Sequence, residues 1–200
     1  MDTAQKHLAR VDPKLRHLIA LYGDCPLRPH TDYYRELVDS ITSQQLSVKA
    51  GRTIFNRFLD LFDGAMPTPE QIIATDIEKL RSTGCSYSKA GYIKDLAQRI
   101  NDGRLDLAHI ATLPNEAVIK QLTAVKGIGE WSAHMFMIFS LGRTNILPTG
   151  DLGIRKAIMA QYGLDRLPKP NEMLQISQQY QWDPYQSVAS WYLWQSLNNS

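Results

Sequence analysis

An all-α fold is predicted by three observations. Apolar residues recur three and four apart along the chain, no segment alternates with the period of two that a strand requires, and turns carry helix start and stop residues. With 200 residues, 44% of them hydrophobic, the chain can bury a sizeable core and suits one or two small domains.

Taken in order, Leu15, Leu18, Ile19 and Tyr22 share one helical face over Pro13–Tyr22, and Gly23 stops it. Residues 24–31, with prolines at 26 and 29, read as a loop. Tyr34, Leu37, Val38 and Ile41 form the stripe of a helix over Tyr33–Ser43, and a second pattern runs from Val48 to Leu61. Thr68 caps a helix that Pro69 opens, a similar element spans Thr75–Thr83, and Gly84 ends it. Ser86–Ile100 is helical through Tyr92, Ile93, Leu96 and Ile100. Short helices follow over Asp106–Leu113 and Asn115–Leu122. Glu130–Leu141 is almost wholly apolar, as expected of a buried helix. Leu152–Tyr162, Pro168–Tyr180 and an aromatic-rich Pro184–Leu197 complete the chain.

Between two of these helices lies Val125-Lys126-Gly127-Ile128-Gly129. Glycines at 127 and 129 lack the Cβ that would stop the backbone turning sharply and approaching a partner. Amides at the start of the next helix, aided by its dipole, can then hold a phosphate without reading sequence. The same Gly-x-Gly pattern also occurs in turns with no ligand. Beyond it, Asp151 sits in a Pro-Thr-Gly-Asp turn before Leu152-Gly153-Ile154. It can be an N-cap accepting the amide at position 154, and it can also be the fixed anion that a cationic sugar requires. The two readings are compatible. A unit pair at about 4 Å in an effective dielectric near 20 is worth roughly 4 kcal/mol, about a thousandfold in rate.

The Ser43-Gln44-Gln45-Leu46-Ser47 segment is either an ordinary surface turn or a probe. An amide that hydrogen-bonds in both directions beside an apolar wedge suits the gap left by an extruded base. Trp194, near Trp191, reads by itself as core packing, and His134 as a satisfied histidine with no second ligand at metal spacing. Lys89 and Lys94 read as solvated, with Lys89 also placed to meet a phosphate from its helix start.

Charge excludes a polycation: 22 basic and 20 acidic residues leave +2, so any nucleic-acid surface is a local patch. Cys25 and Cys85 are the only cysteines, too few for a four-thiolate iron-sulfur cluster or a disulfide framework, and a reducing compartment is expected. The charged start, MDTAQKHLAR, lacks a secretory core, and no apolar run of about 18 residues predicts a membrane span. Asn198-Asn199-Ser200 fits a glycosylation sequon but carries no weight at the end of a chain read as cytosolic.

The run GIGEWSAHMFMIFSLGRTNILPTGDLGIRKA, residues 127–157, resembles the core of the helix-hairpin-helix DNA glycosylase superfamily, with its acid about twenty residues after the hairpin. Three other stretches resemble its alkyladenine branch, typified by bacterial 3-methyladenine DNA glycosylase II: ITSQQLSVKA from Ile41, GCSYSKAGYI from Gly84, and WDPYQSVASWYLW from Trp182. The resemblance spans nearly the whole chain. It implies one glycosylase unit of two helical lobes with a cleft between them, lobe one approximately 24–141 and lobe two approximately 1–23 plus 142–200, the hairpin and Asp151 lying at the cleft. The chain is too short for the extra N-terminal β-rich domain of some bacterial relatives.

Residue by residue, the resemblance makes Asp151 the catalytic carboxylate and sets Trp194 in the base pocket with Trp131, Tyr34 or Tyr185. Gln44, Gln45 and Leu46 become plug and wedge, while Lys126, Gly127, Gly129 and Lys89 face the DNA backbone. Carbonyls of Thr123, Val125 and Ile128 can hold a monovalent cation; no other cofactor is required. Trp131 stands where bifunctional relatives carry a lysine nucleophile, which implies a monofunctional enzyme. The expected activity is excision of N3- or N7-methylated purines from duplex DNA by base flipping, initiating base excision repair. The alternatives are a same-fold glycosylase for deaminated or oxidised bases and a non-enzymatic DNA-binding protein with a degenerate site. Double-stranded DNA bearing damaged bases is the expected partner of a monomer, with no membrane. Localisation follows as cytoplasmic and nucleoid-associated in a bacterium, nuclear in a eukaryote.

Overall fold

The computed structural model describes residues 3–30 and 32–197. The 198–200 sequon lies outside them. Among the described residues there are twelve α-helices and no strand, in agreement with the predicted class. Among these residues, no helix is long and apolar enough to cross a membrane.

The chain divides into two compact units, Thr31–Phe136 and a discontinuous one made of Met1–His30 and Met137–Ser200. The family resemblance implies these crossings near 23/24 and 141/142.

The continuous unit holds α3 (Tyr33–Ser43), α4 (Val48–Asp60), α5 (Pro69–Ala74), α6 (Ile77–Ser82), α7 (Tyr87–Asn101), α8 (Asn115–Thr123) and α9 (Glu130–Met135). Its starts are chemically marked. Thr68 and Gln71 form a reciprocal capping box with Pro69 at the first position, Ser86 accepts the Lys89 amide, and Ser47 accepts that of Ala50. Helix α7 packs on α3, α5 and α6, burying Ile93, Leu96 and Ala97. Helix α4 lies against α3, and the crossing requires Gly51. A Cβ there would stand 2.6 Å from the Ser43 hydroxyl and 3.2 Å from the Ser43 Cα. That close approach fixes the elbow carrying Gln44, Gln45 and Leu46.

The discontinuous unit holds α1 (Thr3–Val11), α2 (Pro13–Tyr22), α10 (Leu152–Tyr162), α11 (Pro170–Gln179) and α12 (Gln186–Leu197). Its core includes Leu8, Leu15, Ile19, Ile154, Ile158, Met173, Trp182 and Tyr192. Inside it lies a carboxylate with no solvent exposure, Asp12. This residue caps α2 through the Lys14 and Leu15 amides and accepts the Tyr162 hydroxyl at 2.6 Å and the Trp182 indole N–H at 2.7 Å. Burial first, and then the charge of Asp12, drive the Tyr162 phenol upward in pKa, so it remains a donor.

Three elements differ from expectation. Helix α1 is absent from the sequence pattern because Lys6, His7 and Arg10 mask Ala4 and Leu8, an i,i+4 pair that is buried. The expected helix over Asp106–Leu113 is only a 3₁₀ turn, Ile110–Thr112. Asp106 takes the Ala108 and His109 amides, offering the backbone an alternative to helix. The helix expected over Glu130–Leu141 is α9 followed by a π-helical turn, Phe136–Ser140, and Trp131 and Phe139 on it are exposed.

Candidate active site

In the discontinuous unit, Asp151 is the N-cap of α10 and 8% exposed. Its Oδ1 accepts the Ile154 amide at 2.7 Å, as the spacing predicts, and also the Trp194 indole N–H at 3.0 Å. Gly153 makes room for that pair, since a Cβ there would lie 3.0 Å from Oδ1 and 3.3 Å from the indole ring. The Trp194 ring stacks on Phe139, centroids 5.7 Å apart at 30°. The carboxylate is therefore held by two donors at the positive end of an eleven-residue helix, an arrangement suited to a fixed anion beside an aromatic wall. Tyr185, expected in the pocket, packs on His7 with centroids 5.3 Å apart. It precedes α12, whereas Trp194 lies in its last turns, about 13 Å along the helix axis.

In the continuous unit, the hairpin joins α8 to α9. Val125 and Ile128 are buried, while Lys126, Gly127 and Gly129 are exposed. Asp95 braces the turn: its carboxylate accepts the Lys126 amide at 2.9 Å and Arg99 Nε at 2.9 Å. Burial works to raise that carboxyl, but the Lys126 amide and Arg99 hold it below the usual carboxylate range.

The two glycines serve different ends. Gly127 has φ +82°, and a Cβ there would fall 2.0 Å from the Tyr92 ring. Gly129 has φ −93° and caps α9 without a side chain, and a Cβ there would meet nothing within 4 Å. Packing thus explains Gly127, and nothing within the unit requires a glycine at 129. Gly127→Ala is expected to lower Tm by roughly 3–10 °C, from about 1–3 kcal/mol of backbone strain with the Tyr92 overlap added. Gly129→Ala should leave Tm within about 1 °C and weaken duplex binding. Thermal unfolding and binding to an abasic-analogue duplex separate the two, and equal Tm losses would overturn the distinction.

The elbow meets the hairpin through Gln44, whose Nε2 donates to the Gly127 carbonyl at 2.8 Å. Gln45, at φ +59°, and Leu46 are exposed beside it. A groove of about 550 Å³ is lined by Ser40, Ser43, the Gln44–Leu46 turn, Gly127, Trp131 and Ser132. Trp131 is half exposed.

Other expected residues lie elsewhere. Lys89, expected at a phosphate, donates to the Thr42 carbonyl at 2.9 Å, closing the end of α3. Lys94, read as solvated, donates to the Ile73 carbonyl at 2.8 Å. Tyr34 does not line the groove. Its hydroxyl is buried without a hydrogen-bond partner, and burial, then the Glu70 charge, push its pKa up. His134 is kept low by burial, with Glu130 Oε1 3.9 Å away. Among the described residues, no group of three or more His, Cys, Asp or Glu side chains could hold a metal ion. At the hairpin, Thr123 ends α8 and the Val125 carbonyl accepts the Ile128 amide at 3.1 Å.

A model of the HhH-GPD superfamily base excision DNA repair protein matches residues 38–181. The chain belongs to the HhH-GPD superfamily. Over 204 aligned residues this HhH-GPD chain is 37% identical to DNA-3-methyladenine glycosylase 1 of Schizosaccharomyces pombe, covering 98% of this chain and 87% of that protein. Among solved structures it is similar to the S. pombe 3-methyladenine DNA glycosylase in complex with abasic DNA, with TM-score 0.84 and 34% identity over 98% of this chain and 97% of that one. It is also similar to a DNA-3-methyladenine glycosidase from Bacillus halodurans, with TM-score 0.87 and 35% identity over 98% and 89% of the two chains.

Two residues of this HhH-GPD site, Phe139 and Gly153, are not predicted by the sequence pattern. Phe139 is hidden in an apolar run, and its exposure depends on the π-helical turn. Gly153, two residues after an N-cap acid, is the available signal: a glycine in the first turn of a helix makes room for a close approach.

Proposed function

We propose that this chain is a monofunctional DNA N-glycosylase that excises N3- or N7-alkylated purines from double-stranded DNA. The observation that carries the reading is the buried Asp151 carboxylate, held by the Ile154 amide and the Trp194 indole in a chain similar throughout to DNA-3-methyladenine glycosylases. An alkylated purine carries positive charge, which weakens its glycosidic bond and draws it to an aromatic face, an attraction of about 0.5–2 kcal/mol. It leaves neutral, so no strong general acid is required.

The hairpin amides and Lys126 hold backbone phosphates, Leu46 and Gln45 enter the duplex, and the extruded base stacks on the Trp194–Phe139 wall. Asp151 stabilises the oxocarbenium-like sugar, and water adds at C1′ to leave an abasic site. Trp131 offers no amine for a Schiff base, so the strand is left uncut. The carbonyls of Thr123, Val125 and Ile128 suit a monovalent cation bracing the turn, because each carbonyl has two lone pairs and Val125 gives only one to Ile128.

A duplex bearing one 7-methylguanine, incubated with the protein and then treated with hot alkali, should be cut at the lesion only after alkali. No cleavage at any alkylated base would sink the enzyme reading, and scission before alkali would refute monofunctional action. Cleavage confined to hypoxanthine or an oxidised purine would move the substrate class.

A further inference from the structure

The outward face of α4 has no role in base excision as derived above. It exposes Lys49, Arg52, Thr53, Asn56 and Arg57, while Phe55, Phe58 and Leu59 are buried on the other side. Elsewhere in the same unit, Arg81, Arg99 and Arg104 are each paired with an acid. Among the described residues, Lys49, Arg52 and Arg57 form no such ion pair. The sole acid within α4 is its last residue, Asp60. Two shallow grooves flank the Lys49–Thr53 ridge. One, of about 400 Å³, runs from Lys49 to Arg57; the other, of about 410 Å³, holds Lys49, Arg52 and Asn56. Both begin next to the exposed Leu46 and Val48.

We propose that this face of α4 is a second phosphate-binding surface, gripping the backbone of the duplex beyond the Gln44–Leu46 turn. The proposal rests on the DNA reading of the same unit and goes beyond it. A wedge that unstacks base steps works against the stiffness of the duplex, and a backbone held on both sides of it resists sliding away from the inserted side chain. The hairpin supplies one hold. Lys49, Arg52 and Arg57 supply the other, spread over about 12 Å of helix axis, a length that spans several backbone charges. Three cations without acidic partners complement a polyanion, and their continuity with Leu46 makes the occupant the duplex already engaged there.

The test is the salt dependence of binding to a duplex carrying a non-cleavable abasic analogue, using the full chain. The triple variant Lys49→Gln, Arg52→Gln, Arg57→Gln should lower the slope of log K against log salt by about 0.9 for each phosphate no longer neutralised, so by about 2–3 in all. Its single-turnover excision rate at saturating enzyme should stay within about twofold of wild type, with the half-saturating enzyme concentration raised at least tenfold. A control with the same charge change, Lys6→Gln, Arg10→Gln, Lys14→Gln, should keep the wild-type slope. A triple variant with the wild-type slope would overturn the proposal and leave the face to an acidic protein partner. An equal drop in both triples would overturn it in favour of a net-charge effect. Wild-type protein that neither binds nor excises would overturn the parent reading, whereas normal excision with an unchanged slope sinks only the α4 surface.

Discussion

Replacing Asp151 by Asn is expected to slow excision of 7-methylguanine about a thousandfold while leaving affinity for an abasic-analogue duplex within a few fold. The separation follows from geometry. An asparagine carbonyl can accept the Ile154 amide and the Trp194 indole N–H that Oδ1 now accepts, so the cap, and with it the start of α10, survives. What disappears is the negative charge that the proposed function sets against a developing cation, worth about 4 kcal/mol at about 4 Å in a partly screened site. Single-turnover rates at saturating enzyme isolate this step from binding. A rate within tenfold of wild type would remove Asp151 from the chemistry and leave it a helix cap.

The second large effect is on stability. Asp12→Ala should destabilise the discontinuous unit by about 3–5 kcal/mol, because it strands the Trp182 N–H, the Tyr162 hydroxyl and the Leu15 amide in the core and removes the acceptor of the Lys14 amide. For a chain of this size that is a fall in Tm of roughly 10 °C. Asp12→Asn, which keeps an acceptor and the cap, should cost clearly less. Thermal unfolding of both variants checks the ranking, and a drop below 2 °C for the alanine variant would show that the buried network is dispensable.

What the residues announce in advance, and what they conceal, divides by range. Helix starts are local chemistry, so Thr68 with Pro69, Ser86, and Asp151 with its amide three residues on can be read directly from the chain. The pairings that assemble the site are not local. Trp194 reaches Asp151 across 43 positions, Lys89 reaches Thr42 across 47, and Gln44 reaches Gly127 across 83. No spacing rule encodes such pairs. Lys89 reads as free because a lysine at a helix start is usually solvated, and only the neighbouring end of α3 reveals the carbonyl it closes. Tyr34 shares a stripe with Leu37 and Ile41, and its burial follows from that stripe. Its position near Glu70 depends on α3 and α5 both packing on α7. Helix α1 is illegible for the opposite reason, since two buried apolar residues are too short a pattern to outweigh the charges around them.

The hydrogen bond from Gln44 to the Gly127 carbonyl bears on how a lesion is found. Because the elbow and the hairpin are tied to each other, the proposed function would have the offset between a gripped phosphate and the nucleotide under Leu46 set by that hydrogen bond and not by the slack of a loop. The pair behaves as a fixed gauge. Under the proposed function, each phosphate held by the hairpin would then select one nucleotide to be tested, and moving the grip by one phosphate would advance the test by one base.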